Sequence, residues 1–260
     1  FHSLASTHKI YTPKAFDNYD IIFVNGKYQE TEIRKNEKIF NLKKKEIYSS
    51  GYLFLEYLEN ISVKSKKIEN CILLAPSWNY NNKNLFNTHI IEIIDILTKN
   101  KFNVIFRPHP ESIKRHKNKF NQTVDKFKNN DFFYLDNDFS NINSMEKSSI
   151  LITDNSTISL EFSLIFKRPV LFINHCDKIH NNNFHLINQN TLEDIFRNDI
   201  SYSIHSKDLI NLPQKCKKIL EDSSNFTDKV DGFKFKYLSN ITNSIEMCAE
   251  NIKKINSDLE

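Results

Sequence analysis

Asn103-Val104-Ile105-Phe106-Arg107-Pro108-His109-Pro110 and, further along, Ser149-Ile150-Leu151-Ile152-Thr153-Asp154-Asn155-Ser156-Thr157 decide how this chain reads. In each, a short apolar run hands over to a polar turn. Short apolar runs bounded by turn signals fit strands buried on both faces. Such strands belong to parallel sheets covered by helices on either side. In open parallel sheets ligands sit at the carboxyl edge, where strands give way to helices. Both turns stand at that edge. They bring a guanidinium, an imidazole and two adjacent hydroxyls, a set that points to a phosphate.

The same alternation extends in both directions. Strands are expected at 20–25, 46–49, 71–75, 101–106, 132–135, 149–153, 169–174 and 202–204. Helices are expected at 27–40, 88–99, 111–129, 140–147, 156–166, 191–196 and 207–220, and 235–255 has helical periodicity. Strands alternating with helices predict an α/β fold with a parallel sheet. The basic, serine-containing stretch 62–69 reads as a linker. The expected division is residues 1–64 as one Rossmann-like part, 65–234 as a nucleotide-binding domain and 235–260 as a terminal helix. The first 60 residues hold too few strands to close a domain and the chain opens at Phe1, so an N-terminal portion is expected beyond it.

Composition narrows the chemistry. Hydrophobic residues make up 39% of the 260, with 21 Phe, enough for real cores. No run approaches the roughly 18 apolar residues of a membrane span, and no basic-then-apolar leader is visible. The net charge of +4 is spread too thinly for a nucleic-acid surface. The short basic runs Lys43-Lys44-Lys45 and Lys64, Lys66, Lys67 read as solvated faces, or as attraction to anionic headgroups. Four cysteines lie far apart with no CxxC pair, so neither a zinc motif nor a disulfide framework is expected. A reducing cytoplasm fits. Only three glycines are present, so a glycine-rich phosphate loop is excluded and any phosphate site must use side chains and a helix N-terminus.

Around Asp154 the helix start should present unpaired N–H groups at Ser156, Thr157 and Ile158, a phosphate cradle with two hydroxyls beside it. The competing reading is a simple cap by Asn155 or Ser156. Glu161, a turn deeper, could accept from a ribose diol or stand solvated. The two prolines fix the backbone around Arg107 and His109. His109 could donate to a pyrophosphate or act as a general acid; Arg107 could pair with phosphate or hold a neighbouring acid. Trp78, after Pro76-Ser77, could stack a base or fill an interface. His175, Asp177, His180 and His185, irregularly spaced on a polar loop, make a metal site conceivable, but HxD…H without further ligands is a weak pattern, and no metal or other cofactor is expected.

The chain resembles the CDP-glycerol glycerophosphotransferase family, the teichoic-acid and capsule polymerases of GT-B fold. The likeness runs through Tyr19-Asp20, Ser50-Gly51-Tyr52, Leu74-Ala75-Pro76-Ser77-Trp78, Arg107-Pro108-His109-Pro110, Thr153 to Thr157, Glu161-Phe162 and Lys167-Arg168-Pro169-Val170. It implies two Rossmann-like domains, the N-terminal one incomplete here. It also implies a nucleotide-diphosphate donor, CDP-linked by preference, held by Arg107, His109, Asp154, Ser156 and Thr157, with Glu161 and Trp78 at ribose and base. The acceptor would be a polymer or a lipid-linked chain, met in the cytoplasm or at the inner membrane face. In similar enzymes an N-terminal His-Gly supplies the base; His2 stands at that position, followed by Ser3 rather than Gly, and Asn155 replaces the family's aromatic. Two other classes remain open: a UDP-sugar 2-epimerase, and a non-catalytic nucleotide-binding module.

Overall fold

In the computed structural model, residues 3–61, 68–79, 82–222 and 226–259 are described. His2, Lys64, Lys66 and Lys67, and most of the expected linker, lie outside them. The chain divides into two compact units, one formed by 1–61, 179–199 and 228–260, the other by 62–178 and 200–227. The sequence placed all of 65–234 in one domain, whereas the contacts group 179–199 and 228–234 with the first unit. Periodicity identifies an element but not the surface it packs on.

The second unit holds six parallel strands: β3 (Cys71–Leu74), β4 (Asn103–Phe106), β5 (Phe133–Leu135), β6 (Ile150–Thr153), β7 (Val170–Asn174) and β8 (Tyr202–His205). They are ordered β5-β4-β3-β6-β7-β8. Every residue of β3 and β6 is buried, as a central parallel pair requires. Ile72, Leu74, Val104, Phe106, Ile152 and Ile173 pack against Ile90, Ile93, Ile94 and Leu97 of the helix Ile90–Lys99 and against Leu212 and Cys216 of the helix Leu212–Glu221. After β3 the chain winds outward through β4 to β5, then returns to lay β6 on the other side of β3. The sheet therefore reverses direction between β3 and β6.

The expected strands all form, within a residue or two at their ends. The helices differ more. The one expected at 111–129 is broken into Pro110–Arg115 and Lys117–Phe127 at His116 (φ −125°, ψ 46°), whose ring packs near Phe86 at 6.3 Å. Pro213 in its first turn delays the helix expected from 207, and a 3₁₀ run, Ser206–Asn211, precedes it. The tail forms two helices, Phe226–Tyr237 and Ser244–Leu259. A helix at Leu53–Ile61, not anticipated from the sequence, buries Leu55 and Leu58.

The first unit has a parallel pair, Ile21–Val24 (β1) with Glu46–Ser49 (β2), joined by the helix Lys27–Phe40. Ile22, Val24 and Ile33 make a small core. Buried polar groups hold much of the rest. Glu32, fully buried, accepts from Thr7 N at 2.6 Å and Thr7 Oγ1 at 2.8 Å. The His8 ring lies between Glu32 Oε1 (3.3 Å) and Gln189 O (3.1 Å). Both Glu193 oxygens accept from Ser6 N, and Ser6 Oγ accepts from Leu192 N at 2.7 Å. Glu56 accepts from Ser244 Oγ and Ile245 N, capping the last helix. A side chain on Gly26 would meet Tyr237 O at 2.0 Å, so the backbones touch there. Of the basic run, Lys43 pairs with Asp20 at 2.6 Å and Lys45 is buried with Nζ on Asp17 O. Lys43 and Lys44 are solvated, as expected, and Lys45 is not.

Burial raises the Glu193 pKa, and the nearby Glu32 charge adds to the rise. The folded chain then keeps this proton to higher pH than the unfolded chain does. The contribution to stability is full below the ordinary value of 4.5 and is lost as pH rises through the folded value. Glu193→Gln, which keeps an acceptor for Ser6 N without the charge, should flatten the decline of the melting temperature as pH rises above the ordinary value of 4.5. Superimposable wild-type and variant profiles would refute this.

Candidate functional site

The reversal between β3 and β6 places three turns side by side at the carboxyl edge: those after β4, β3 and β6. Neighbouring strands lie about 4.8 Å apart, so the outer two turns stand roughly 10 Å apart across the β3 turn. Thr153 Oγ1 donates to Ala75 O at 2.7 Å, and Ser77 N donates to Asp154 Oδ1 at 2.7 Å. Asp154 is 1% exposed. Its carboxylate thus ties the β6 turn to the β3 turn.

Beyond Asp154 the helix begins at Ile158, two residues later than expected, with Thr157 at its N-cap and no side-chain capping bond. Asn155 does not cap; its Nδ2 donates to Cys176 O at 2.7 Å. Ser156 O accepts from Ser159 N and Oγ. The simple capping reading is therefore not the geometry found. Ser156 and Thr157 are partly exposed with no side-chain hydrogen bond among the described residues, beside the positive end of the helix. Glu161 lies in the first turn, partly buried.

On the other flank, His109 is the N-cap of Pro110–Arg115 in extended geometry (φ −63°, ψ 139°), with Pro110 opening the helix. Its Nδ1 accepts from Glu111 N at 3.1 Å. In the neutral ring that leaves the proton on Nε2, a donor aimed away from the helix. Burial first, and the charge of Lys178 second, lower the His109 pKa below the usual 6.5. At neutral pH this imidazole is uncharged. It donates a hydrogen bond but brings no positive charge. Trp78 lies 6.0 Å from it, ring to ring, and the Arg115 guanidinium sits 5.3 Å from the Trp78 centroid.

Arg107 takes the second of its two sequence roles. Its Nη1 donates to Asp136 Oδ2 at 2.7 Å, and the guanidinium also reaches the carbonyls of Ser140 (3.4 Å) and Phe139 (3.3 Å). Asp136 additionally accepts from Ser144 Oγ and from Asp138 N. The guanidinium holds the loop after β5. Asp136 belongs to neither motif, although it directly follows β5, a third strand at the same edge. Lys178 and Arg115 carried no motif at all. His175 is engaged by Ser206 Oγ, Thr88 Oγ1 and Lys83 O. Among the described residues no group of three or more His, Cys, Asp or Glu could hold a metal ion.

A parallel sheet that reverses between β3 and β6 and is covered by helices is an α/β fold of the GT-B-like kind. The chain belongs to the CDP-glycerol:poly(glycerophosphate) glycerophosphotransferase family, a family of transferases in cell-surface polymer synthesis, whose model matches residues 5–238. Among solved structures it resembles a variant of the wall teichoic acid polymerase TagF (18% identity, TM-score 0.60, 95% of this chain and 61% of that one). It also resembles a UDP-GlcNAc 2-epimerase from Methanocaldococcus jannaschii in complex with UDP-GlcNAc and UDP (16%, 0.51, 83% and 60%). A glycosyltransferase from Rickettsia africae is similar too (16%, 0.51, 98% and 70%). At these identities the likeness is one of fold. The chain spans about 60% of the TagF chains. No curated protein matches it.

The Arg107–Asp136 pair is mostly buried, with side chains 17% and 8% exposed. Removing one partner strands the other charge. Arg107→Ala should therefore cost about 3 kcal/mol in urea unfolding, whereas a guanidinium serving only a ligand would leave stability unchanged.

Proposed function

We propose that this chain carries the donor half of a transferase that moves an alditol phosphate from a CDP-linked donor to an acceptor hydroxyl of a growing cell-surface polymer. The observation that carries the reading is the turn after β6. Two adjacent hydroxyls there, unclaimed by any cap among the described residues, stand at a helix N-terminus on the sheet reversal of a glycerophosphotransferase-family chain. Ser156, Thr157 and the first helical N–H groups would bind the pyrophosphate oxygens. His109 would donate from Nε2 to the same group. Asp154 and Arg107 serve this arrangement indirectly, the first by fixing the β3 turn, the second by fixing the loop after β5. Trp78 and Glu161 are the residues for base and ribose.

In the reaction the acceptor oxygen forms a bond to the β-phosphorus while the bridging oxygen–β-phosphorus bond breaks. CMP departs with the electron pair. The acceptor proton passes to a base, the role assigned to His2. The hydrogen bonds at the α-phosphate stabilise the charge that accumulates on CMP, which is where preorganised donors act most strongly. The low His109 pKa suits donation from a neutral ring; CMP leaves as an anion. No resident metal is required in this scheme. A polymeric or lipid-linked acceptor places the enzyme in the cytoplasm, at the inner face of the membrane when the acceptor is lipid-linked. No helix among the described residues is long and apolar enough to cross a membrane.

His109→Ala should lower kcat with CDP-glycerol at least about a hundredfold; near-normal turnover would remove His109 from the mechanism. Turnover by the wild type should survive exhaustive dialysis against EDTA. Loss of activity that added Mg²⁺ restores would show that a metal takes part.

A further inference from the structure

The two ends of the helix Pro110–Arg115 meet one aromatic ring. His109, its N-cap, lies 6.0 Å ring to ring from Trp78. The guanidinium of Arg115, its last residue, lies over the same ring, 5.3 Å from the centroid. The helix rises about 9 Å, so Trp78 spans its length. Along the helix the same two residues are joined through Glu111. Its N donates to His109 Nδ1 at 3.1 Å, and its Oε2 accepts from Arg115 Nε at 2.8 Å. His109, Glu111, Arg115 and Trp78 therefore form a closed circuit. We propose that Arg115 is a positioning residue that, through Trp78 and Glu111, holds the His109 ring with Nε2 as the outward donor, an inference that rests on the donor reading above for what Nε2 meets.

The ring needs such a hold. An imidazole turns about a broad, roughly two-fold torsion, and turning it over takes Nε2 away from the place where it donates. The bond from Glu111 N alone favours one orientation by about tenfold at most. Trp78 packs beside the ring and restricts that turn. A planar guanidinium stacked on the indole keeps Trp78 in place, a fit that a lysine ammonium lacks. Glu111 engages Nε and so fixes the plane of the guanidinium. With side chains 49% and 34% exposed, this ion pair adds little to stability. Its effect is on orientation. Trp78 also carries a reference to the other flank of the site. Its neighbour Ser77 donates from N to Asp154 Oδ1 at 2.7 Å, in the turn that holds Ser156 and Thr157. The circuit thus registers His109 against the two hydroxyls. The ring assigned above to the base is then also the link between Arg115 and His109.

The test is the tautomer of neutral His109, read by NMR of its ring nitrogens in the wild type, Arg115→Met and Glu111→Gln. Turnover of CDP-glycerol and unfolding midpoints are measured in parallel. The wild type should show the Nε2–H form. Arg115→Met should raise the share of the other tautomer and lower kcat about fivefold, the loss expected for one stacked cation, with KM and the midpoint little changed. Glu111→Gln keeps an acceptor for Arg115 Nε and should retain the wild-type tautomer and most of kcat. Should Arg115→Met not fold, Arg115→Gln takes its place. A wild-type tautomer in the Arg115 variant overturns the proposal, whatever its kcat, and leaves the donor reading standing. A wild type that neither binds CDP nor turns over CDP-glycerol overturns the donor reading, and the tautomer then decides the circuit alone.

Discussion

The reversal of the sheet between β3 and β6 is the constraint on which the site depends. Two strands buried along their whole length pair in parallel, and the chain leaves them in opposite directions. No helix can then cover the gap between their carboxyl ends, because each connection winds away from it. What fills the gap is polar. The Thr153–Ala75 and Ser77–Asp154 bonds close it from below, and Asn155 and Asn79 fasten the β7 loop above. Side-chain amides and a carboxylate, bonded to backbone groups, hold these turns together in a chain with three glycines.

The division of labour among the polar residues follows from burial. Asp154 and Arg107 sit inside and spend their charges on protein partners. Ser156, Thr157 and His109 are only partly covered and keep donors outward. Residue type alone could not separate these groups. An aspartate beside two hydroxyls, or an arginine beside a histidine, reads equally well as ligand or as brace.

Much of the fold was legible for a simple reason. Fully apolar runs such as 71–74 and 150–153 suit only a strand buried on both faces, and their spacing leaves room for one helix each. The family resemblance, carried by the two motifs and their order, held as well. What escaped was long-range. Glu193 and Glu32 belong to no motif, yet they are the buried acceptors for Ser6 and Thr7. The break at His116 depends on Phe86, thirty positions earlier. The grouping of 179–199 and 228–260 with the first unit has the same origin, since bonds such as Lys234–Glu59 leave no periodic trace.

That interleaving has a consequence for how the chain is made. The bond from Ser6 N to Glu193 joins residues 187 positions apart, and the first unit also draws on 228–260. During synthesis the segment around Ser6 must wait for the 187 further residues that bring Glu193 before this buried acceptor arrives. The second unit needs nothing beyond residue 227. Domains fold as units while the ribosome still works, so the six-stranded sheet of the second unit is complete before the first unit has all its residues. The unit that holds Ser6 closes after that sheet, and until then its carboxylates and exposed backbone depend on water.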